Sequence, residues 1–467
     1  MEKISSRLFS GKDISKIIVP LVLQNLFAIA IGMADSIMVA SYNGDAFAGV
    51  SLVNSLDVLL ITLFSAIATG GSVVLAQAMG QKNRKLACDS AKQLLYITTG
   101  IAVAISALVL ILRTPLLNLL FGETEQAVMN NALSYFSIVA ISFPFLAIEN
   151  SVASILRAQG DSMTSLKISI FMNLLNIGGN AALIFGANLG AAGAALATLI
   201  SRIIGASIML WISQNSKRYI FIDKILSYRP SKVIIKSILR IGIPNGIENS
   251  LFQFGRLMTT SLVSSLGTVA ITANSAALSL ANIQYNAGNA VQSTMIAVVG
   301  RCVGADEKKQ AKHYTALLLG IGYVIIFLVA ILTCLLSTPL LSLFKLTTDG
   351  FTTARQLLFY HALVSIILWA TAFCLPSAFR AAGDIKFTMV VSVASMWIFR
   401  VAFAYFLAKD TVSLFGLFEF GGMGMGVMGV WIAMTADWLV RAIIFIWKFF
   451  TGKWLNHSLL LKKSESK

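Results

Sequence analysis

Twelve apolar runs, each long enough to cross a bilayer as a helix, follow one another along this chain of 467 residues. They cover approximately 17–40, 50–77, 93–113, 132–156, 164–186, 190–213, 238–265, 271–300, 314–337, 357–379, 387–408 and 425–449. A helix needs about 20 residues to span the hydrocarbon core. In hydrocarbon every backbone polar group must be satisfied within the protein, which a helix does within itself. Only 12% of the residues are charged, against about 25% in a soluble domain. The sequence therefore predicts an all-α integral membrane protein with twelve transmembrane helices.

The formal net charge of +16 does not indicate a nucleic-acid partner. The basic residues sit in short loops between the apolar runs, where they set topology. One set of loops holds Lys3 to Lys16, Lys82, Arg84, Lys85, Lys92, Arg157, Lys167, the segment Lys217 to Arg240, Arg301, Lys308, Lys309, Lys312, Arg380 and Lys386. The opposite set holds only Arg113, Lys345, Arg355 and Lys409. Both termini are expected on the cytoplasmic side of a bacterial-type inner (cell) membrane. The first run is too long for a signal-peptide core and reads as a retained helix.

The chain repeats itself. Pro20, Asn25, Gly80 and Pro115 recur as Pro244, Asn249, Gly304 and Pro339, each 224 residues later. Arg157-Ala-Gln-Gly-Asp161 recurs as Arg380-Ala-Ala-Gly-Asp384 at 223. Gly190-Ala-Ala-Gly193 recurs as Gly426-Val-Met-Gly429 at 236, after a Gly-rich insertion near 416–424. Each half holds six helices, so the halves share one orientation and imply a pseudo-twofold axis along the membrane normal with a site between them. The expected organisation is a six-helix lobe over 1–213, a cytoplasmic basic linker over 214–236, and a second six-helix lobe with a short tail over 237–467.

Polar residues inside apolar helices are costly and mark cavities or partners. Asp35, in Gly32-Met-Ala-Asp-Ser-Ile-Met-Val39, has no Lys or Arg within one turn, so it suits proton or cation uptake. Asn54 and Asp57 on helix 2, Glu149 on helix 4, Glu248, Asn249, Gln253 and Arg256 on helix 7, and Asn282 and Asn286 on helix 8 form polar stripes expected to wall a water-filled substrate cavity. The bland alternative for each stripe is interhelical hydrogen bonding. Asp437 and Arg441, four apart, are expected to pair along one helix face, and Arg202 and Arg400 to pair with carboxylates. The four cysteines and the methionines near 423–434 read as packing.

No P-loop, H-E-x-x-H, G-x-S-x-G or paired-cysteine motif is present, so neither ATP-driven pumping by this chain nor a familiar enzyme class is indicated. Cofactors are expected to be absent, and an ion gradient becomes the energy source.

Several motifs resemble those of the multidrug and toxic compound extrusion (MATE) transporters, within the multidrug/oligosaccharidyl-lipid/polysaccharide flippase superfamily. They are Pro20 with the Asp35 stretch, Leu156-Arg-Ala-Gln-Gly-Asp161, Asn176-Ile-Gly-Gly-Asn180 through Gly186, the Gly190 to Thr198 run and Gly242-Ile-Pro244. The resemblance spans nearly the whole chain. It implies antiport of organic cations or other amphiphiles against H⁺ or Na⁺. The protein is expected to act as a monomer in the lipid bilayer. It places the coupling site at Asp35, Asn176, Asn180 and Thr198, with Na⁺ at Asp35 as the one conceivable metal, and a hinge at Pro20. Many members have Asp where this chain has Asn180, which removes one formal charge. A lipid-linked oligosaccharide flippase is the rival within the superfamily. A membrane-embedded enzyme or scaffold is the rival outside it.

Overall fold

The computed structural model describes residues 7–122, 124–223, 227, 229–414 and 418–456. Lys3, Lys224, the first two residues of the Gly-rich insertion and the C-terminal lysines of the expected tail lie outside the described residues.

Helices dominate. The first half runs α1 (Gly11–Tyr42), α2 (Gly44–Gly80), α3 (Arg84–Phe121), α4 (Gln126–Gln159), α5 (Ser162–Asn180) and α6 (Gly190–Ser213). A π-helical turn, Ala181–Gly186, prolongs α5. The second half runs α7 (Lys232–Ser264), α8 (Thr268–Gly304), α9 (Lys308–Leu335), the short α10 (Ser337–Ser342), α11 (Thr348–Trp369), α12 (Leu375–Ala382), α13 (Ile385–Ser395), α14 (Phe403–Ala408) and α15 (Gly426–Thr451). π-Helical turns fuse α11 to α12 (Ala370–Cys374) and α13 to α14 (Met396–Ala402). The fused segments bring the number of long helical elements to twelve among the described residues.

Ten of these are long and apolar enough to cross a membrane. The other two, α7 and α8, have 33 and 37 residues. Length does not separate them from the rest; their Asn, Gln, Glu and Arg residues do. Large apolar side chains face outward on these helices: Leu119 is 82% exposed and Phe450 76%. Water would not tolerate such a surface, and lipid does.

Helix ends extend past the apolar runs because polar residues cap them. Ser10 accepts from Asp13 N–H while Asp13 accepts from Ser10 N–H, a reciprocal cap that starts α1 six residues before the apolar run. Asn83 caps α3 and Asp161 caps α5. An antiparallel pair joins β1 (Thr411–Leu414), just before the Gly-rich insertion, to β2 (Phe418–Gly421) within it. It is the one strand pairing among the described residues, and the alternating Val-Ser-Leu and Phe-Glu-Phe stretches account for it.

The chain divides into two compact units, Phe9–Gly246 and a second beginning at Ile247. In the first unit α2, α3, α4 and α6 enclose a core containing Phe64, Leu117, Phe136 and Phe143, with the Phe64 and Phe143 rings 6.2 Å apart. In the second unit Tyr285, His361, Trp369, Phe373, Trp431 and Trp438 form a continuous aromatic cluster.

Part of the basic segment after α6 is not a free linker. Arg84 donates to the carbonyls of Ser216, Arg218 and Tyr219 at 3.0–3.1 Å. Gln159 and Ile220 exchange two hydrogen bonds. Arg218 pairs with Asp161 at 2.6 Å, and Lys92 with Asp223 at 3.3 Å. The loops after α2, α4 and α6 therefore meet at one end of this unit, as the distribution of basic residues requires. The end of the 214–236 segment is already helical, since α7 begins at Lys232.

Candidate functional sites in the two units

Asn176 and Asn180 are four residues apart, so α5 presents both on one face. That face packs against α1 and α6. The Asn180 amide donates to Asp35 Oδ1 at 2.7 Å. With the Asn176 amide turned to satisfy its neighbours, its nitrogen donates to both Asp35 oxygens at 3.0 Å, and its oxygen accepts from the Thr198 hydroxyl at 3.2 Å. The four residues singled out for a coupling site thus form one hydrogen-bonded cluster. Asn180 Oδ1 is buried and has no partner. The π-helical turn that follows Asn180 is of a kind often found beside functional residues.

α6 can approach closely enough to deliver Thr198 because Gly193 faces the π turn. A Cβ at Gly193 would lie 2.8 Å from the Leu183 carbonyl. The repeat-related Gly429 meets the Leu407 carbonyl in the same way, at 2.7 Å.

The cluster opens on a cavity of about 350 Å³ lined by Asp35, Asn54, Asp57, Asn180, Thr198 and Arg202, with Tyr135 and Phe47 among the walls. Asp57 is 6% exposed, and its Oδ1 has no hydrogen-bond partner. Tyr135 donates to Asn54 Oδ1 at 3.4 Å. Arg202 donates to Ser142 Oγ at 2.6 Å and lies within electrostatic range of Asp57. Its expected carboxylate partner is absent at contact distance among the described residues; the guanidinium instead donates to the fully buried hydroxyl of Ser142. Tyr135 and Arg202 are lining residues that the polar-stripe reading missed. Neither belongs to one of the periodic polar stripes on helices 2, 7 and 8, so the stripe reading gave no signal for them.

A second cavity, of about 260 Å³, lies within the other unit. Arg256, Asn282 and Asn286 line it, as do Asn289, Gln292 and Arg400. Aromatic walls come from Phe252, Tyr285, Trp369, Phe373 and Trp438. Arg400 sits on the π turn between α13 and α14. It too lacks the expected ion pair among the described residues; its guanidinium stands over the Phe252 ring, 5.3 Å from the centroid. Asp437 and Arg441 do pair, at 2.7 Å.

The other expected cavity residues are placed differently. Glu248 is buried against Arg380, with Arg380 Nη2 donating to Glu248 Oε1 at 2.6 Å. A carboxylate so engaged is a structural partner of the Arg380 motif, and it lines neither cavity. Glu149 lines neither cavity; it lies within electrostatic range of Arg202 and Arg157. Asn249 and Gln253 lie two turns and one turn before Arg256 on α7 and are outside the lining. Pro20 is inside α1, which continues through it.

The fold has counterparts of known structure. A multidrug resistance MATE family transporter of the MOP superfamily, solved in an outward-facing conformation, superposes with a TM-score of 0.86 at 19% identity, over 96% of this chain and 97% of that one. Among sequences, the transporter YisQ of Bacillus subtilis strain 168, itself uncharacterized, is 28% identical over 94% of both chains. A Thermotoga maritima protein named "Probable multidrug resistance protein NorM" is 25% identical over 97% of this chain and 95% of its own. The MatE family model matches twice, at 20–182 and 244–406. The two matches are offset by the same 224 residues that separate Pro20 from Pro244. Matched on both halves, the chain belongs to the MatE family of multi-pass membrane transporters.

Proposed function

We propose that this protein is a secondary antiporter that exports small amphiphilic compounds, organic cations among them, in exchange for H⁺. Na⁺ is the alternative coupling ion. The observation that carries this reading is the Asp35 carboxylate, held by the amides of Asn180 and Asn176 at the edge of a cavity. The names of the multidrug resistance relatives support the choice of cargo.

An ionised carboxylate only accepts hydrogen bonds, and bonds to it are roughly twice as strong as neutral ones. Protonation of Asp35 weakens both amide contacts and creates a donor. Rotation of the Asn180 amide then offers that donor the carbonyl oxygen that is now without a partner. Proton binding is thereby converted into a rearrangement between α1 and α5. In the cycle proposed here, two functional lobes, 1–213 and 237–467, alternate access across the 214–236 segment, and Pro20 lets α1 bend. An interior proline removes one helix hydrogen bond. The proposed setting is a monomer in a bacterial-type cell membrane; the basic loops gathered at one end of the first unit support the cytoplasmic placement of both termini.

The test is efflux of cationic dyes from proteoliposomes under imposed ΔpH or ΔpNa. The expected result is ΔpH-driven export that Asp35→Asn abolishes. Full ΔpH-driven export by Asp35→Asn would overturn the assignment.

A further inference from the structure

The two cavities carry opposite formal charge. Asp35 and Asp57 outnumber Arg202 in the first. The second is lined by Arg256 and Arg400 and by no carboxylate. Asp437, the acid within electrostatic range of Arg400, is already paired with Arg441 at 2.7 Å. Glu248, the other acid on α7, is held by Arg380.

Arg400 is 8% exposed and has no hydrogen bond or ion pair among the described residues. A buried guanidinium carries five donors and is expensive to leave unpaired. Trp438, 1% exposed, likewise has an indole N–H without a partner. Tyr285 and Trp369 stack at 6.0 Å with an interplanar angle of 14°, and Trp369 stacks on Phe373 at 5.2 Å. These rings make a rigid apolar wall facing the same space as the two guanidiniums. The amides of Asn282, Asn286, Asn289 and Gln292 recur at helical spacing on α8 and supply further polar contacts.

We infer that this cavity binds a small aromatic anion, its carboxylate or sulfonate paired with Arg256 and Arg400 and its ring against Trp369 and Phe373. Two guanidiniums match the two or three oxygens of such a head group, and guanidinium–carboxylate pairs are the strong, directional kind. About 260 Å³ accommodates one or two fused rings, since a cavity of ~150 Å³ already takes benzene. That the ligand is cargo rests on the export function proposed above; the binding does not.

The experiment is equilibrium titration calorimetry on the purified full-length protein in detergent, with no ion gradient, so it can fail independently of the efflux test. The probes are 2-naphthoate, the size-matched cation 2-naphthylmethylammonium, and a short prenyl phosphate. The expected result is saturable naphthoate binding, at least about tenfold tighter than that of the cation, weakened about tenfold or more by Arg256→Gln and by Arg400→Gln. Arg256 is partly exposed, so its variant keeps the test valid if Arg400→Gln does not fold. Equal affinity for the cation, unchanged naphthoate binding in Arg256→Gln, or displacement of naphthoate by the prenyl phosphate at lower concentration would each overturn the proposal. The last outcome would point to a lipid-linked ligand.

Discussion

Asn180 reaches across 145 positions of sequence to donate a hydrogen bond to Asp35 at 2.7 Å. The amide stands where many relatives, by motif position, have a second acid. Asn180→Asp would put two carboxylates in contact. Two unit charges ~4 Å apart repel by about 4 kcal/mol at an effective dielectric of 20, and a bound cation relieves that repulsion. The variant should therefore gain Na⁺ dependence, with apparent Na⁺ affinity rising more than tenfold. The measurement is ΔpNa-driven efflux in proteoliposomes over a range of Na⁺ concentrations. A Na⁺ response identical to that of the native protein would remove the charge argument.

The Glu248–Arg380 pair yields a stability prediction. Both side chains are largely buried, 7% and 12% exposed. Glu248 Oε2 and Arg380 Nε have no partners, so the pair is incompletely solvated by protein. Deleting one member leaves a buried charge, which costs about 3–5 kcal/mol. Glu248→Ala should lower the unfolding temperature in detergent by many degrees. Glu248→Leu combined with Arg380→Met should recover most of the loss, because replacing both charges removes the desolvation penalty. Equal instability of the single and double variants would mean that packing, not charge, dominates there.

What the sequence reveals and what it hides divides along physical lines here. Twelve helices are legible because a membrane demands runs of some 20 apolar residues, and the duplication is legible as a constant offset. Helix ends are not: α3 extends nine residues before and eight after the run 93–113, through amphipathic turns capped by Asn83. The Asp35 cluster is legible by motif, since Asn176 and Asn180 share a helix face. Glu248 reads as a cavity acid because nothing local reveals a partner 132 residues away. Arg202 and Arg400 read as ion-paired for the converse reason: burial of an arginine suggests an acid, and only tertiary structure shows a serine hydroxyl or an aromatic ring instead.

Asp161 joins a helix cap to an ion pair. It accepts from Thr164 N–H at 3.1 Å and Thr164 Oγ1 at 2.7 Å, and from Arg218 at 2.6 Å. Partial burial pushes its carboxyl upward, but the Thr164 and Arg218 hydrogen bonds and the Arg218 charge outweigh it, so the carboxyl titrates below its ordinary value. A depressed carboxylate stabilises the fold above the unfolded-state value, about 3.9. That contribution disappears as pH falls through the lower folded-state value. Asp161→Asn keeps a capping side chain but loses the ion pair. It should cost under about 1 kcal/mol at pH 7 and flatten the decline of thermal stability between pH 5 and 3. Melting curves across that range would show parallel declines if the charge contributes nothing.

Gly193 provides the sharpest link between packing and the Asp35 site. A methyl group there meets the Leu183 backbone at 2.8 Å, a contact that no side-chain rotation relieves. Gly193→Ala must push α6 away from the π turn that follows Asn180, and Thr198, five residues along α6, moves with it. The Asn176–Thr198 bond, now 3.2 Å, then lengthens beyond hydrogen-bonding range if the shift is a few tenths of an ångström. Overpacking of this kind costs about 1–3 kcal/mol. Gly429→Ala, against the Leu407 carbonyl at 2.7 Å, should cost a similar amount but leave the Asp35 cluster untouched. The two variants should thus be destabilised alike in thermal unfolding. Gly193→Ala alone should alter the pH dependence of efflux. If both shift the pH profile equally, the close approach at Gly193 serves general packing and not the alignment of Thr198 with Asn176.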